Sequence, residues 1–125
     1  MTYVLVVDDE PAFTDALSIS LEREGFVVRT ESDGPAAIAS FDEQVPDLVL
    51  LDVMLPGMSG IDVCREIRKR SAVPVIMVTA KSEEIDAVVG LEVGADDYVT
   101  KPVSYTHLRA HETEAALVCR LLLEK

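Results

Sequence analysis

Apolar and polar positions change period repeatedly along the chain, and the changes divide it into short segments. Tyr3-Val4-Leu5-Val6-Val7 is an unbroken apolar, β-branched run that ends in Asp8-Asp9-Glu10, as expected of a central strand buried on both faces. From Pro11 the period lengthens. Phe13, Ala16, Leu17, Ser20, Leu21 and Glu24 fall at helical spacing, and Gly25 is placed as a stop signal. The alternation then repeats, with strand-like segments near Val27–Glu31, Asp47–Asp52, Pro74–Ala80 and Asp97–Lys101. Helix-like segments lie between them near Pro35–Asp42, Ser59–Arg70 and Glu83–Val93. Strands alternating with helices of about ten residues predict an α/β protein, a parallel sheet with helices on both faces.

Composition narrows the picture. A chain of 125 residues has room for one domain with one core, so two-domain readings are excluded for it. Eleven basic against 23 acidic residues give a net charge of −12, which repels nucleic acid and anionic lipid; neither is expected as a partner of this chain. Apolar runs such as Asp47-Leu-Val-Leu-Leu and Pro74-Val-Ile-Met-Val are far short of the roughly 20 residues of a membrane span. With no basic-then-apolar signal segment, a cytoplasmic location is expected, and Cys64 and Cys119 are read as incidental thiols rather than a disulfide.

In a doubly wound sheet, ligands bind outside the carboxyl ends of the strands. Those ends carry Asp8 and Asp9 after the first strand, Asp52 after the third, Thr79-Ala80 after the fourth and Lys101-Pro102 after the fifth. Clustered carboxylates demand a counter-charge, and an oxygen-only donor set with room for water suits Mg²⁺ better than Ca²⁺ or zinc. Each feature alone has a plain reading: a solvated strand end, a solvent-facing lysine, a β-branched strand residue. Asp52 is followed by Val53-Met54-Leu55-Pro56-Gly57, whose Pro and Gly turn the chain away and leave the carboxylate on the rim. Beside a metal, such a carboxylate can attack a phosphoryl group, with Lys101 and Thr79 offering a charge and a hydroxyl to the incoming oxygens.

Four segments in order carry a resemblance: Val6-Val7-Asp8-Asp9-Glu10-Pro11; Leu50-Leu51-Asp52 through Gly60; Val78-Thr79-Ala80-Lys81; and Gly94-Ala95-Asp96-Asp97-Tyr98-Val99-Thr100-Lys101-Pro102. Over residues 3–102 the chain resembles the receiver domain of two-component response regulators, most closely the OmpR/PhoB branch. The resemblance implies a flavodoxin-like five-stranded sheet of order 2-1-3-4-5. It implies that Asp52 accepts a phosphoryl group from a histidine kinase, and that Asp9, Asp52 and the backbone carbonyl of Met54 bind Mg²⁺ while Asp8 holds a metal-bound water. Lys101 matches the phosphate-binding lysine, Thr79 the switch hydroxyl, Ala80 the small residue beside it, Tyr98 the aromatic that swings inward, and Lys101–Pro102 a bond that is usually cis. The resemblance implies a domain that signals and catalyses its own phosphorylation and dephosphorylation, rather than a metabolic enzyme. Phosphorylation in this branch favours a homodimer through the fourth helix, fifth strand and fifth helix, to which Glu83, Glu84, Asp86, Glu92, Asp96 and Asp97 are candidate contributors. The resemblance to this branch implies transcriptional regulation through a DNA-binding domain as the natural output. A stand-alone receiver acting by protein binding or phosphorelay is the alternative, and a phosphatase with an aspartyl nucleophile is disfavoured because Met54 stands where its general acid belongs.

The family pattern stops at Pro102. Val103 through Thr113 and Leu117 through Lys125 resemble two pieces of a translated sequencing adapter separated by an index, with Ala116 the one departure. The expected organisation is therefore a receiver over 1–102 and, over 103–125, a non-native and possibly helical tail in place of the fifth helix. On that reading the i, i+4 pair His107 and His111 is accidental.

Overall fold

In the computed structural model, residues 2–80 and 84–101 are described. Five strands alternate with four helices: β1 (Tyr3–Val7), α1 (Pro11–Arg23), β2 (Val27–Glu31), α2 (Gly34–Glu43), β3 (Leu48–Asp52), α3 (Gly60–Arg70), β4 (Val75–Ala80), α4 (Glu84–Val93) and β5 (Asp97–Lys101). All the strands pair in parallel in the order β2-β1-β3-β4-β5. This is the flavodoxin-like arrangement. The fifth helix or tail after Pro102, the Lys101–Pro102 bond and the Lys101 side chain lie outside the described residues.

The ends of the elements follow from local chemistry. Asp33 accepts a hydrogen bond from the Ala36 amide, 2.7 Å, so α2 starts at Gly34, one residue before the expected Pro35. Ser59 caps α3 through the Asp62 amide rather than forming its first turn. Pro74 has no N–H to give, and β4 begins at Val75.

Alternate side chains of the central strands feed two cores, as a strand period of two requires. Val4, Val6, Leu48, Leu50, Ile76, Val78 and Val99 point to one face, where Leu17 and Leu21 of α1 cover them. Leu5, Val7, Val49, Leu51 and Met77 point to the other, against Phe41 of α2 and Val63, Cys64 and Ile67 of α3. α1 lies opposite α2 and α3 because right-handed crossovers that move in opposite directions across a sheet lay their helices on opposite faces. The direction reverses between β1 and β3, so a crevice opens at their carboxyl ends. Among the described residues, no helix is long and apolar enough to cross a membrane.

Candidate functional site: an acidic rim

Parallel register sets the rim. Val7 lies beside Leu51, so Asp8 and Asp52 emerge side by side from β1 and β3, while Asp52 pairs with Val78 and Ala80 with Lys101. Carboxylate oxygens of Asp8, Asp9 and Asp52 lie within 4.8 Å of one another. Asp8 and Asp52 are buried, at 3% and 5% exposure, whereas Asp9 is exposed. Two carboxylates are thus withheld from water and the third opens the site to it.

Backbone amides hold the buried pair. The Glu10 amide donates to Asp8 Oδ1 at 2.9 Å, and the Met54 amide to Asp52 Oδ1 at 3.3 Å. A cluster of hard oxygen donors, partly open to solvent, fits a small divalent cation that keeps some of its water, as Mg²⁺ does.

Thr79 is fully buried one position beyond the residue paired with Asp52, and its hydroxyl donates to the Ala80 carbonyl at 3.2 Å. Tyr98 is partly buried and packs against the core beneath α2 and α3. The backbone of Lys101 ends β5 on the same rim, beside Ala80. Met54 is 53% exposed. Of the acidic residues proposed for an output surface, Asp96 is engaged within the fold: its Oδ2 accepts from Arg68 Nη2 and from the Val75 amide, each at 2.8 Å.

Two features escaped the sequence reading. A cavity of about 190 Å³ adjoins Asp8 and Asp9 and is lined further by Thr14, Thr30, Glu31 and Ser32, a convergence across the β1–β2 edge with no signal in linear spacing. The second is a pair of glycines, Gly34 and Gly60, that pack against the loop following Asp52.

With this geometry in hand, comparison with known proteins is informative. Residues 4–112 match the family model of the response regulator receiver domain. The chain is 61% identical over 110 residues to the sensory transduction protein RegX3 of Mycobacterium tuberculosis, covering 88% of this chain and 48% of that protein. Its counterpart in Mycolicibacterium smegmatis is 59% identical over the same length. The chain thus spans about half the length of the curated relatives it matches. Among solved structures, the receiver domain of NtrX from Brucella abortus superposes with a TM-score of 0.79 at 32% identity, covering 98% of both chains. The receiver domain of the TMAO respiratory system response regulator TorR gives 0.78 at 39% identity, covering 88% of this chain and 92% of that one.

Proposed function

Because the chain belongs to the response regulator receiver domain family, we propose that it accepts a phosphoryl group on Asp52 from a histidine kinase and so controls an output domain that regulates transcription. The observation that carries the reading is the buried Asp52 carboxylate, held within 4.8 Å of Asp8 and Asp9 at the crevice between β1 and β3.

One carboxylate oxygen of Asp52 attacks phosphorus. The bond from phosphorus to the donor's histidine nitrogen breaks, that nitrogen keeps the electron pair, and an acyl phosphate is left on Asp52. Asp9, Asp52 and the Met54 carbonyl are the residues to hold Mg²⁺, with Asp8 on a bound water; the ion supplies charge neutralisation at the phosphoryl oxygens. The amides of Glu10 and Met54 hold Asp8 and Asp52 in place. Lys101 would offer its ammonium and Thr79 its hydroxyl to the new oxygens, Tyr98 would fill the space that Thr79 leaves, and the Lys101–Pro102 bond would be cis, as is usual in the family. The same groups serve when water later takes the phosphoryl group, which makes the domain catalyse its own phosphorylation and dephosphorylation.

The partners that follow are a histidine kinase as phosphodonor and a second copy of this chain met through α4 and β5, with the chain itself in the cytoplasm. The receiver fold is assigned to residues 1–102, and Val103–Lys125 to a foreign tail. Intact-mass measurement tests the site: acetyl phosphate with Mg²⁺ adds one phosphoryl group to this chain and none to Asp52→Ala. Equal labelling of the variant removes Asp52 from the mechanism.

A further inference from the structure

Helix α3 begins unusually close to the proposed phosphoryl acceptor. The Gly60 amide donates to the Val53 carbonyl at 2.7 Å, which closes the loop Val53–Ser59 at its base directly beneath Asp52. A Cβ on Gly60 would collide with the Asp52 carbonyl oxygen and stand 2.9 Å from both the Asp52 carbonyl carbon and the Val53 Cα. All three are backbone atoms, and none can rotate aside. Among the described residues, positive φ occurs at Gly25, Gly57 and Gly94, so Gly60 is not required by its torsion angles; the close approach requires it. The other end of the loop is pressed too, since a Cβ on Gly34 would meet Met58 Cβ at 2.6 Å and Val63 Cγ2 at 3.0 Å. There the nearest neighbour is Met58 Cβ, which its own backbone fixes, so Gly34 too is required by close approach.

We propose that Gly60 is a positioning residue for the acidic site: by letting the first turn of α3 rest on the Asp52 carbonyl, it holds the Asp52–Met54 backbone where the Asp52 carboxylate completes the cluster with Asp8 and Asp9. The inference rests on the function proposed above, in that it takes Asp52 and Met54 as ligands of a divalent cation. Relieving the clash with the Asp52 carbonyl oxygen in an alanine variant needs about 1 Å or more of backbone movement. That movement falls on the residue whose carboxylate accepts the Met54 amide and reaches across to two other carboxylates. Groups that orient metal ligands without touching the metal typically control about 10- to 100-fold in affinity.

The test uses the whole chain and Mg²⁺ alone, titrated by calorimetry at a temperature where circular dichroism shows every variant folded. Gly60→Ala is expected to bind Mg²⁺ about 10- to 100-fold more weakly than the wild type. Cys64→Ala, at a fully buried position of the same helix with no part in the site, is expected to lower Tm yet leave Mg²⁺ affinity within about twofold, which separates positioning from general loss of stability. Should Gly60→Ala not fold, the wild type decides by nuclear magnetic resonance. The Gly60 amide signal should shift with the same Mg²⁺ midpoint as Asp52, while Gly25 and Gly94 stay still. A folded Gly60→Ala with unchanged affinity, or a Gly60 amide indifferent to Mg²⁺ while Asp52 responds, overturns the positioning role alone. A wild type that neither binds Mg²⁺ nor takes a phosphoryl group at Asp52 overturns the proposed function and this inference with it.

Discussion

Arg68 is the residue whose loss should cost this fold the most among its surface-reaching side chains. Its guanidinium, near the end of α3, donates to the Gly94 carbonyl at 2.6 Å, to the Val73 carbonyl at 2.6 Å and to Asp96 Oδ2 at 2.8 Å. Its stem also lies against Gly94, whose φ of 127° ends α4. Hydrogen bonds from a charged donor contribute about 1.5–3 kcal/mol each. The two carbonyl bonds are taken at the low end because water reaches the vacated side. The Asp96 pair, with Asp96 half exposed, adds at most about 1 kcal/mol. Arg68→Ala should therefore lose about 3–4 kcal/mol, and at about 4 °C per kcal/mol for a domain of this size Tm should fall by roughly 12–16 °C. Arg68→Lys keeps the charge but not the planar fork, so it should recover no more than about half of that loss. Urea denaturation with thermal melts measures both variants. A loss below about 1 kcal/mol for Arg68→Ala, or a Lys variant as stable as the wild type, would refute the assignment of Arg68 as the staple between α3, β4 and the α4–β5 turn.

Two further outcomes are open to direct measurement. Burial pushes the Cys64 thiol above its ordinary value of 9.0, against the opposing pull of Arg68, so the folded state keeps a proton that the unfolded chain gives up. Stability should accordingly decline as pH rises through about 9, and more steeply in the wild type than in Cys64→Ala; parallel pH profiles would show that Cys64 is not the cause. For the tail, long-read sequencing of the source locus without adapters should find the reading frame continuing past codon 102 into a sequence other than Val103–Lys125. Recovery of the present tail from that locus would make it a genuine segment of the protein.

Much of this architecture is legible from period alone. Tyr3–Val7, Val27–Glu31 and Asp97–Lys101 are read as strands with the bounds observed, because a strand in a parallel sheet writes its burial directly into an apolar run or a β-branched cluster. Most other elements differ by a residue at one end, and α2 by a residue at both, where capping and the missing N–H of Pro74 decide rather than hydrophobicity. The acidic cluster was legible for a topological reason: strand ends of a doubly wound sheet share one rim, so three carboxylates distant in sequence are brought together. Arg68, Gly60 and Gly34 were not. Arg68 reads as one of three basic residues closing a helix, which the helix dipole alone would explain, and its partners lie up to 28 residues away. Gly60 falls in the segment read as helix over Ser59–Arg70 and in the matched motif, but close approach of two backbones leaves no mark on periodicity, so its packing could not be read there.

These hidden contacts bear on how a switch at Asp52 would be confined. Thr79 spends its hydroxyl on the Ala80 carbonyl at 3.2 Å, one neutral hydrogen bond of about 1 kcal/mol. A phosphoryl group on Asp52, as proposed, would carry about −1.5 to −2 charge and would offer that hydroxyl a charge-assisted bond of about 1.5–3 kcal/mol, so exchange of partners would be favourable only with phosphate present. The opposite end of β4 is held differently. The Val75 amide donates to Asp96 Oδ2, the Asp96 amide to the Val75 carbonyl at 2.8 Å, and Arg68 ties Asp96 to α3. The ladder to β3 and β5 runs along β4 to Ala80, but the interlocked bonds of Asp96 and Arg68 add to it only at the amino end, so a switch at Thr79 would draw first on the rim and not on the base of β4 and β5. The proposed response would therefore start at the end of β4 next to Asp52, where the Thr79 hydroxyl has a neutral bond to exchange and Asp96 adds no anchor.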